Sequence, residues 1–219
     1  MLSKNTFQFL EDLAEHNYKE WFHENRPRYL ESKQEFEALV GELILNLSDL
    51  DPDLNSLLPK DCIFRINRDI RFSKDKRTYK ANFGAYIAPG GRKSSRAAYY
   101  VHIEPKKSFL AGGVYCPSGE NLKLIREAIQ YDLKTYENII GKKSFKELFG
   151  EVMGDKLKVA PKGFDKNSVG IEYLKLKSHT LIHPVKDGFF IADNVLLKAR
   201  DIFSEMKEFN DFLNKALDY

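Results

Sequence analysis

The sequence changes its periodicity twice, and this constrains the fold more than any other feature. Residues 1–52 carry apolar side chains three or four positions apart, as amphipathic helices do. Residues 60–116 consist mainly of short β-prone runs that end at tight turns, and residues 117–219 return mainly to helical spacing. The pattern predicts a single α+β domain over residues 1–219, in which N-terminal and C-terminal helices flank an antiparallel β-meander.

Several runs have the composition of strands. They are Ile63 to Asn67, Phe83 to Ala88, Ala98 to Glu104, Ser108 to Tyr115 and, later in the chain, Thr180 to Val185. Short connections beginning at Pro89 and Pro105 favour antiparallel pairing of consecutive strands. Near the N-terminus, Asn17 and Glu20 have the spacing of a capping box, which predicts the start of a second helix.

Composition and hydropathy exclude several classes of protein. Only 2 of the 219 residues are cysteines, and 13 are glycines, so a disulfide scaffold or a collagen-like chain is excluded. No apolar run reaches the roughly 20 residues of a membrane-spanning helix, and the first residues lack the apolar core of an export signal. We therefore expect a soluble, cytoplasmic protein without a membrane partner. Neither a cofactor nor an oligomeric state is indicated.

The charge is small overall but unevenly placed. The net charge is +3, which by itself requires no anionic partner. Residues 65–80, however, hold seven basic residues against two acidic ones, a local charge of +5, and the rest of the chain is net negative. The basic residues are Arg65, Arg68, Arg71, Lys74, Lys76, Arg77 and Lys80, and the acidic ones are Asp69 and Asp75. A local field of this sign suits a phosphate, a carboxylate or a nucleic-acid backbone.

An extended segment from residue 63 to residue 72 would separate its side chains onto two faces. One face would carry Phe64, Ile66, Arg68, Ile70 and Phe72. A charge among apolar side chains needs a partner, so Arg68 is expected to pair with Asp69 or Glu104. The opposite face, with Arg65, Asp69 and Arg71, forms either an internal ion network or a clamp for a bound anion.

Side chains would have to hold an anion here, because the glycine pattern of a phosphate-binding loop is absent. The candidate ligand-binding residues are Arg65, Arg68, Arg71, Ser73, Lys76, Tyr79 and Lys80, and the candidate catalytic residues are Asp69, His102 and Glu104. His102 and Glu104 are two positions apart on a predicted strand, so their side chains point the same way. This arrangement suits acid–base catalysis, but a structural histidine is the favoured interpretation.

No metal site is predicted. His102 and Glu104 lack a third ligand at a suitable spacing. His179 and His183 are four positions apart, but the adjacent Pro184 argues against the helix that would align them.

Three functions therefore remain open. The favoured one is an anion-binding pocket on the arginine-rich strand, for a small molecule that bears phosphate or carboxylate, with or without catalysis. The second, less favoured, is a nucleic-acid-binding module that uses the same basic segment together with Tyr79 and nearby aromatic residues. The third is a structural or interaction protein in which the arginines form an internal ion network. Whether the protein is an enzyme stays open.

The run from Phe64 to Lys80 resembles the signature Arg-x-x-Arg-Asp-x-Arg-Phe…Lys-x-x-Tyr of a bacterial and fungal family, domain of unknown function 2461. Other segments look like landmarks of the same family, among them residues 17–22, 100–105, 109–114 and 157–164. One departure is Arg77-Thr78, where members often have Thr-Pro before the tyrosine. The resemblance implies membership of the family and no activity, because none is assigned to it.

Overall fold

A computed structural model describes residues 1–71 and 74–218 of the chain. Its strands form one antiparallel sheet in chain order, which confirms the predicted meander and α+β class. The strands are β1 (Phe83–Ile87), β2 (Ala98–Ile103), β3 (Phe109–Val114) and β4 (His179–Pro184).

Helices precede and follow the sheet, as the periodicity predicts. They are α1 (Lys4–Glu15), α2 (Lys19–Glu24), α3 (Arg26–Ser48), α4 (Pro59–Cys62), α5 (Gly119–Tyr131), α6 (Leu133–Gly141), α7 (Lys143–Phe149), α8 (Ile171–Leu174), α9 (Gly188–Ile191) and α10 (Val195–Leu217). Among the residues described, none of these helices is both long and apolar enough to cross a membrane.

The chain divides into two compact units. Unit 1 consists of Met1–Arg92, Tyr100–Leu110 and Pro184–Asp201, and unit 2 consists of Lys93–Tyr99, Ala111–His183 and Ile202–Tyr219. The single domain expected over residues 1–219 stays a prediction. All the candidate site residues that the structure describes belong to unit 1.

In unit 1, the long helix α3 packs on β1. The ring of Phe36 in α3 stacks on that of Phe83 in β1, with centroids 5.4 Å apart, and burial of one such side chain contributes about 1.5–3 kcal/mol. The start of α1 is joined to α3 through Glu35, which accepts hydrogen bonds from the Ser3 N–H (2.9 Å) and the Thr6 hydroxyl (2.7 Å). One face of β1 is thereby buried.

In unit 2, a buried asparagine of α10 joins the helix to two strands. Asn210 donates to the carbonyl of Ala98 in β2 (3.2 Å) and accepts from the N–H of Gly113 in β3 (2.8 Å). Gly113 has a φ of +94°, and a Cβ there would lie 2.0 Å from the carbonyl oxygen of His179. Only glycine fits this position, because any side chain would displace main-chain atoms.

The predicted strand at Ile63 to Asn67 is wrong. This segment makes only isolated bridges, from Ile63 to Ala85 and from Asn67 to Tyr79. The chain bends at residues 81–82, so the beginning of the segment pairs with β1 and its end pairs with residues 78–80. The bend interrupts what would otherwise be one continuous ladder.

We expect His179 to make the stability of the protein depend on pH. Its side chain is fully buried, and neither ring nitrogen has a hydrogen-bond partner within the described residues. Burial, and then the charge of Arg126, lowers the pKa of His179 from 6.5 to about 3. The folded state therefore holds a neutral imidazole, and its stabilising contribution, complete above the unfolded pKa, is lost as the pH falls from about 6.5 towards 3.

Urea unfolding at a series of pH values tests this expectation. Below pH 6 the free energy of unfolding should fall by about 1.4 kcal/mol per pH unit on account of this group. His179→Leu should remove that part of the slope, and substitution of the exposed His23 by Gln is the matched control. An unchanged slope in His179→Leu would show that the buried imidazole is not the cause.

Candidate functional site

Residues 63–71 and 74–80 form the two arms of a hairpin, which we call the basic hairpin. The Arg68 N–H donates to the Thr78 carbonyl (3.0 Å), and the Lys80 N–H donates to the Ile66 carbonyl (2.8 Å). The Phe64 N–H donates to the carbonyl of Gly84 (2.9 Å), which joins the hairpin to β1. Ser73, one of the predicted ligand-binding residues, lies outside the described residues, as does Phe72.

The base of the basic hairpin is held by Asn17, between α1 and α2. Its side-chain amide accepts from the Tyr79 N–H (2.9 Å) and donates to the Tyr79 carbonyl (3.0 Å). The buried Tyr79 ring stacks on Phe22 of α2, with centroids 4.0 Å apart. The predicted capping role of Asn17 is wrong, since α2 begins after Tyr18 without a side-chain cap.

The alternation predicted for the first arm of the hairpin is confirmed. Ile66 is buried, and Phe64, Arg68 and Ile70 are half-buried. The intervening side chains are exposed: Arg65, Asn67, Asp69 and Arg71. The first arm of the hairpin thus has an inner face that carries Arg68 and an outer face that is polar.

The partner of Arg68 is Asp75, and the expected pairing with Asp69 or Glu104 is wrong. Arg68 Nη1 lies 2.5 Å from Asp75 Oδ2. Arg77 donates hydrogen bonds to the same carboxylate from two nitrogens, Nε to Oδ1 (3.1 Å) and Nη2 to Oδ2 (2.7 Å). Hydrogen bonds from Arg77, and then from Arg68, hold the pKa of Asp75 well below its usual range. Asp75 comes opposite Arg68 because the hairpin folds back between them.

Asp69 forms an ion pair with Arg71. Arg71 Nε donates to Oδ1 (3.0 Å) and Nη2 donates to Oδ2 (2.6 Å), so the pair is bidentate. These bonds, and the more distant charge of Arg65, hold the pKa of Asp69 below its usual value. Both oxygens of this candidate catalytic carboxylate already accept hydrogen bonds.

Arg65 and Lys80 differ from the three arginines that pair with Asp69 and Asp75. No carboxylate forms an ion pair with either of them within residues 1–71 and 74–218. The half-buried Lys80 places its ammonium 5.4 Å from the ring centroid of Phe64. Burial, and then the charges of Arg65 and Arg68, lower the pKa of Lys80. The positive charges of Arg65, Arg68 and Lys80 therefore act on one another, and among these three only Arg68 is paired with a described carboxylate.

Lys76, another predicted ligand-binding residue, is exposed on the second arm. Its ammonium donates to the Ile70 carbonyl at 3.2 Å.

On β2, Tyr100, His102 and Glu104 form a hydrogen-bonded series along one face. Glu104 Oε2 is 3.1 Å from His102 Nε2, and the Tyr100 hydroxyl is 3.3 Å from His102 Nδ1. An ionised carboxylate only accepts, so Nε2 carries the proton and Nδ1 accepts from the tyrosine. The shared direction of His102 and Glu104 is confirmed.

Burial and hydrogen bonding set the ionisation of this series. Burial lowers the pKa of His102, and Glu104 opposes that shift only in part. Burial alone would raise the pKa of Glu104, but hydrogen bonds from His102 and Lys107 hold it below its usual value. Burial raises the pKa of Tyr100 to about 12. At neutral pH the series is a neutral tyrosine, a neutral imidazole and a carboxylate.

The structure brings the β2 series and the basic hairpin together. Glu104 adds to Asp75 in raising the pKa of Arg77. The rings of Phe64 and Tyr100 are 6.4 Å apart. Gly84 allows this approach, because a Cβ at that position would lie 2.5 Å from the Tyr100 hydroxyl oxygen.

Sequence reasoning missed the roles that four residues have in this site. They are Asn17, Asp75, Gly84 and Tyr100. Tyr100 was detectable, since it precedes His102 by two positions on a predicted strand. The roles of Asn17 and Gly84 depend on distant parts of the chain and have no local signal.

Neither a metal centre nor the cavity described in unit 2 coincides with this site. Within the described residues, no three His, Cys, Asp or Glu side chains group as a metal ion would require. A cavity of about 1200 Å³ lies in unit 2, where side chains of α5, α6 and α10 line it.

The model of a family of conserved hypothetical proteins, DUF2461, matches residues 5–212. The chain belongs to this family. The DUF2461 match includes the basic hairpin and β2, and it confirms the membership expected from the resemblance. No curated protein and no solved structure matches the chain.

We expect Glu104→Gln to lower the pKa of His102 further. The glutamate favours the charged imidazole through its hydrogen bond and its charge, so its neutral replacement leaves the opposing effect of burial uncompensated. NMR titration of the imidazole resonances measures the shift, and Glu15→Gln, at an exposed carboxylate of α1, is the control. A rise in the pKa, or an equal shift in both variants, would contradict the described contact.

Proposed function

We propose that the basic hairpin binds a small-molecule ligand through a phosphate or carboxylate group, which Arg65, Arg68 and Lys80 hold. The observation that carries this proposal is the half-buried Lys80, which lies close to two arginines and has no carboxylate partner within the described residues. An arrangement of like charges is costly unless an anion joins it.

The lowered pKa of Lys80 supports an anion at this position. Burial and the two arginines disfavour the protonated ammonium in the unliganded protein. A bound phosphate or carboxylate would reverse the local field and favour the charged form. Perturbed groups of this kind concentrate at functional sites, because ligand binding supplies the missing partner.

The paired residues of the hairpin have a positioning role in this proposal. Asp75 fixes Arg68 through Nη1, and no other described residue bonds to the remaining guanidinium nitrogens, which a ligand could therefore contact. Asp69 likewise orients Arg71. We propose that Arg71 and Lys76 add to the positive field at the hairpin and that the Ser73 hydroxyl donates a hydrogen bond to the ligand, whereas Tyr79 supports its base.

If the ligand undergoes a reaction, we propose His102 and Glu104 as the acid–base pair. The Nδ1 lone pair of the neutral imidazole accepts from the Tyr100 hydroxyl, so His102 would take up a proton through that hydroxyl while Tyr100 takes one from the ligand, and the carboxylate fixes the tautomer. Asp69 is less suited to proton transfer because Arg71 occupies both of its oxygens.

The two alternative functions explain less of the geometry. An internal ion network accounts for Arg71 and Arg77, but Arg65 is exposed and forms no ion pair with a described carboxylate. A nucleic-acid module would use Tyr79 for stacking, but that ring is buried against Phe22. A small anion is therefore the better-supported ligand. A cytoplasmic location stays a prediction.

Isothermal titration calorimetry with phosphate, pyrophosphate and succinate tests the proposal. We expect at least one of them to bind the wild-type protein, and Lys80→Gln to weaken it about tenfold, because a hydrogen bond to a charged group is worth about 1.5–3 kcal/mol. Lys74→Gln is the matched control: it removes the same charge from an exposed position in the same hairpin.

Two results would contradict the proposal. One is the absence of binding by all three anions at low salt. The other is an equal loss in Lys74→Gln and Lys80→Gln, which would indicate a diffuse field of the kind that a nucleic-acid backbone senses. A steep dependence of oligonucleotide binding on salt would then favour that alternative.

A further inference from the structure

Next to Lys80, four rings follow one another in contact on one face of the sheet. We call it the aromatic strip; it consists of Phe64, Tyr100, Phe109 and His102. The ring centroids are 6.4 Å apart for Phe64 and Tyr100, 5.9 Å for Tyr100 and Phe109, and 4.5 Å for Phe109 and His102. All four side chains are half-buried.

The aromatic strip lies on the more accessible face of β2. Tyr99, Val101 and Ile103 point to the other face and are buried. Tyr100 and His102 keep part of their surface open to solvent although they alternate with these core residues. Apolar rings retained on an accessible face and grouped in contact are typical of a binding surface.

The two ends of the aromatic strip carry opposite charges. At one end the Lys80 ammonium stands 5.4 Å from the Phe64 ring centroid, close to Arg65 and Arg68. At the other end Glu104 accepts hydrogen bonds from His102 and Lys107. A ligand lying along the strip would therefore place its negative group at Lys80 and keep it away from the carboxylate.

We propose that the ligand of this site is an aromatic anion, whose flat ring stacks on Phe64 with an edge towards the inclined ring of Tyr100, while its phosphate or carboxylate contacts Lys80. This proposal rests on the anion site described above and names the class of molecule that the site selects. The short distance between the ammonium and the Phe64 ring requires the ring and the anionic group of the ligand to be close neighbours in its covalent structure.

The chemistry of the strip suits such a ligand. Stacking on an aromatic side chain favours a planar ring over an aliphatic group. The Lys80 ammonium over the face of Phe64 is already positioned by the ring's negative face, so little ordering of Lys80 would accompany binding. The neutral His102 adds ring surface without a competing charge.

A purely structural reading of the strip makes a different prediction. Aromatic side chains beside a strand glycine often cover it, and both Phe64 and Tyr100 lie next to Gly84. If coverage of Gly84 were their whole purpose, the site would bind an aromatic and an aliphatic phosphate equally well.

The affinities of an aromatic and an aliphatic phosphate ester, compared with each other, distinguish the two interpretations. We expect phenyl phosphate to bind wild-type protein about tenfold more tightly than methyl phosphate, as one stacked ring implies. The two esters carry the same anionic group, so their affinity ratio isolates the contribution of the ring. The ratio in the wild-type protein requires no variant, and calorimetry measures both affinities.

Phe64→Leu should bring the ratio close to one, because leucine keeps the apolar volume and removes the ring. Phe189→Leu, at a half-buried phenylalanine of α9, is the matched control and should leave the ratio unchanged. Thermal unfolding of both variants establishes that they are folded.

The possible outcomes separate this proposal from the one on which it rests. Binding of methyl phosphate without any preference for phenyl phosphate would overturn the aromatic class and leave the anion site standing. Binding of neither ester, nor of inorganic phosphate, would overturn both. Much tighter, steeply salt-dependent binding of oligothymidylate would replace the small aromatic anion by a single-stranded nucleic acid.

Discussion

Two hydrogen bonds between the Asn17 side chain and the main chain of Tyr79 hold the part of the molecule on which the candidate site depends. The basic hairpin forms only isolated bridges, so its own hydrogen bonds do little to fix its orientation. Asn17 provides hydrogen-bond partners for both the N–H and the carbonyl of Tyr79 at the base of the hairpin. The stacking of Tyr79 on Phe22 adds buried apolar contact. A segment with a charge of +5 is thereby held against the sheet although its charges repel one another.

Ion pairing within the hairpin is selective. Asp69 and Asp75 engage three arginines through charge-assisted bonds, which shapes the hairpin and reduces its field. Arg65 and Lys80 remain outside these pairs. Partial neutralisation of this kind combines a stable local structure with cations that the proposed anion would join.

The sheet supplies the second half of the site. Gly84 allows Tyr100 to lie across β1, so the series of Tyr100, His102 and Glu104 approaches the hairpin. Replacement of Gly84 by a larger residue would displace Tyr100, and would therefore affect the chemistry at His102 without contacting His102 itself. Packing of α3 on the opposite face of β1 gives this arrangement a rigid support, which a site on mobile loops would lack.

The sequence by itself determined the fold class, the meander, the basic segment, the alternation along its first arm and the shared direction of His102 and Glu104. These features depend on neighbours within a few positions, and helical or extended periodicity encodes such relations directly. The tertiary structure decided that Arg68 pairs with Asp75, that Asn17 holds Tyr79, and that Gly84 admits Tyr100. Each of these depends on where the chain folds back, and the spacing of residues along the chain does not record that position.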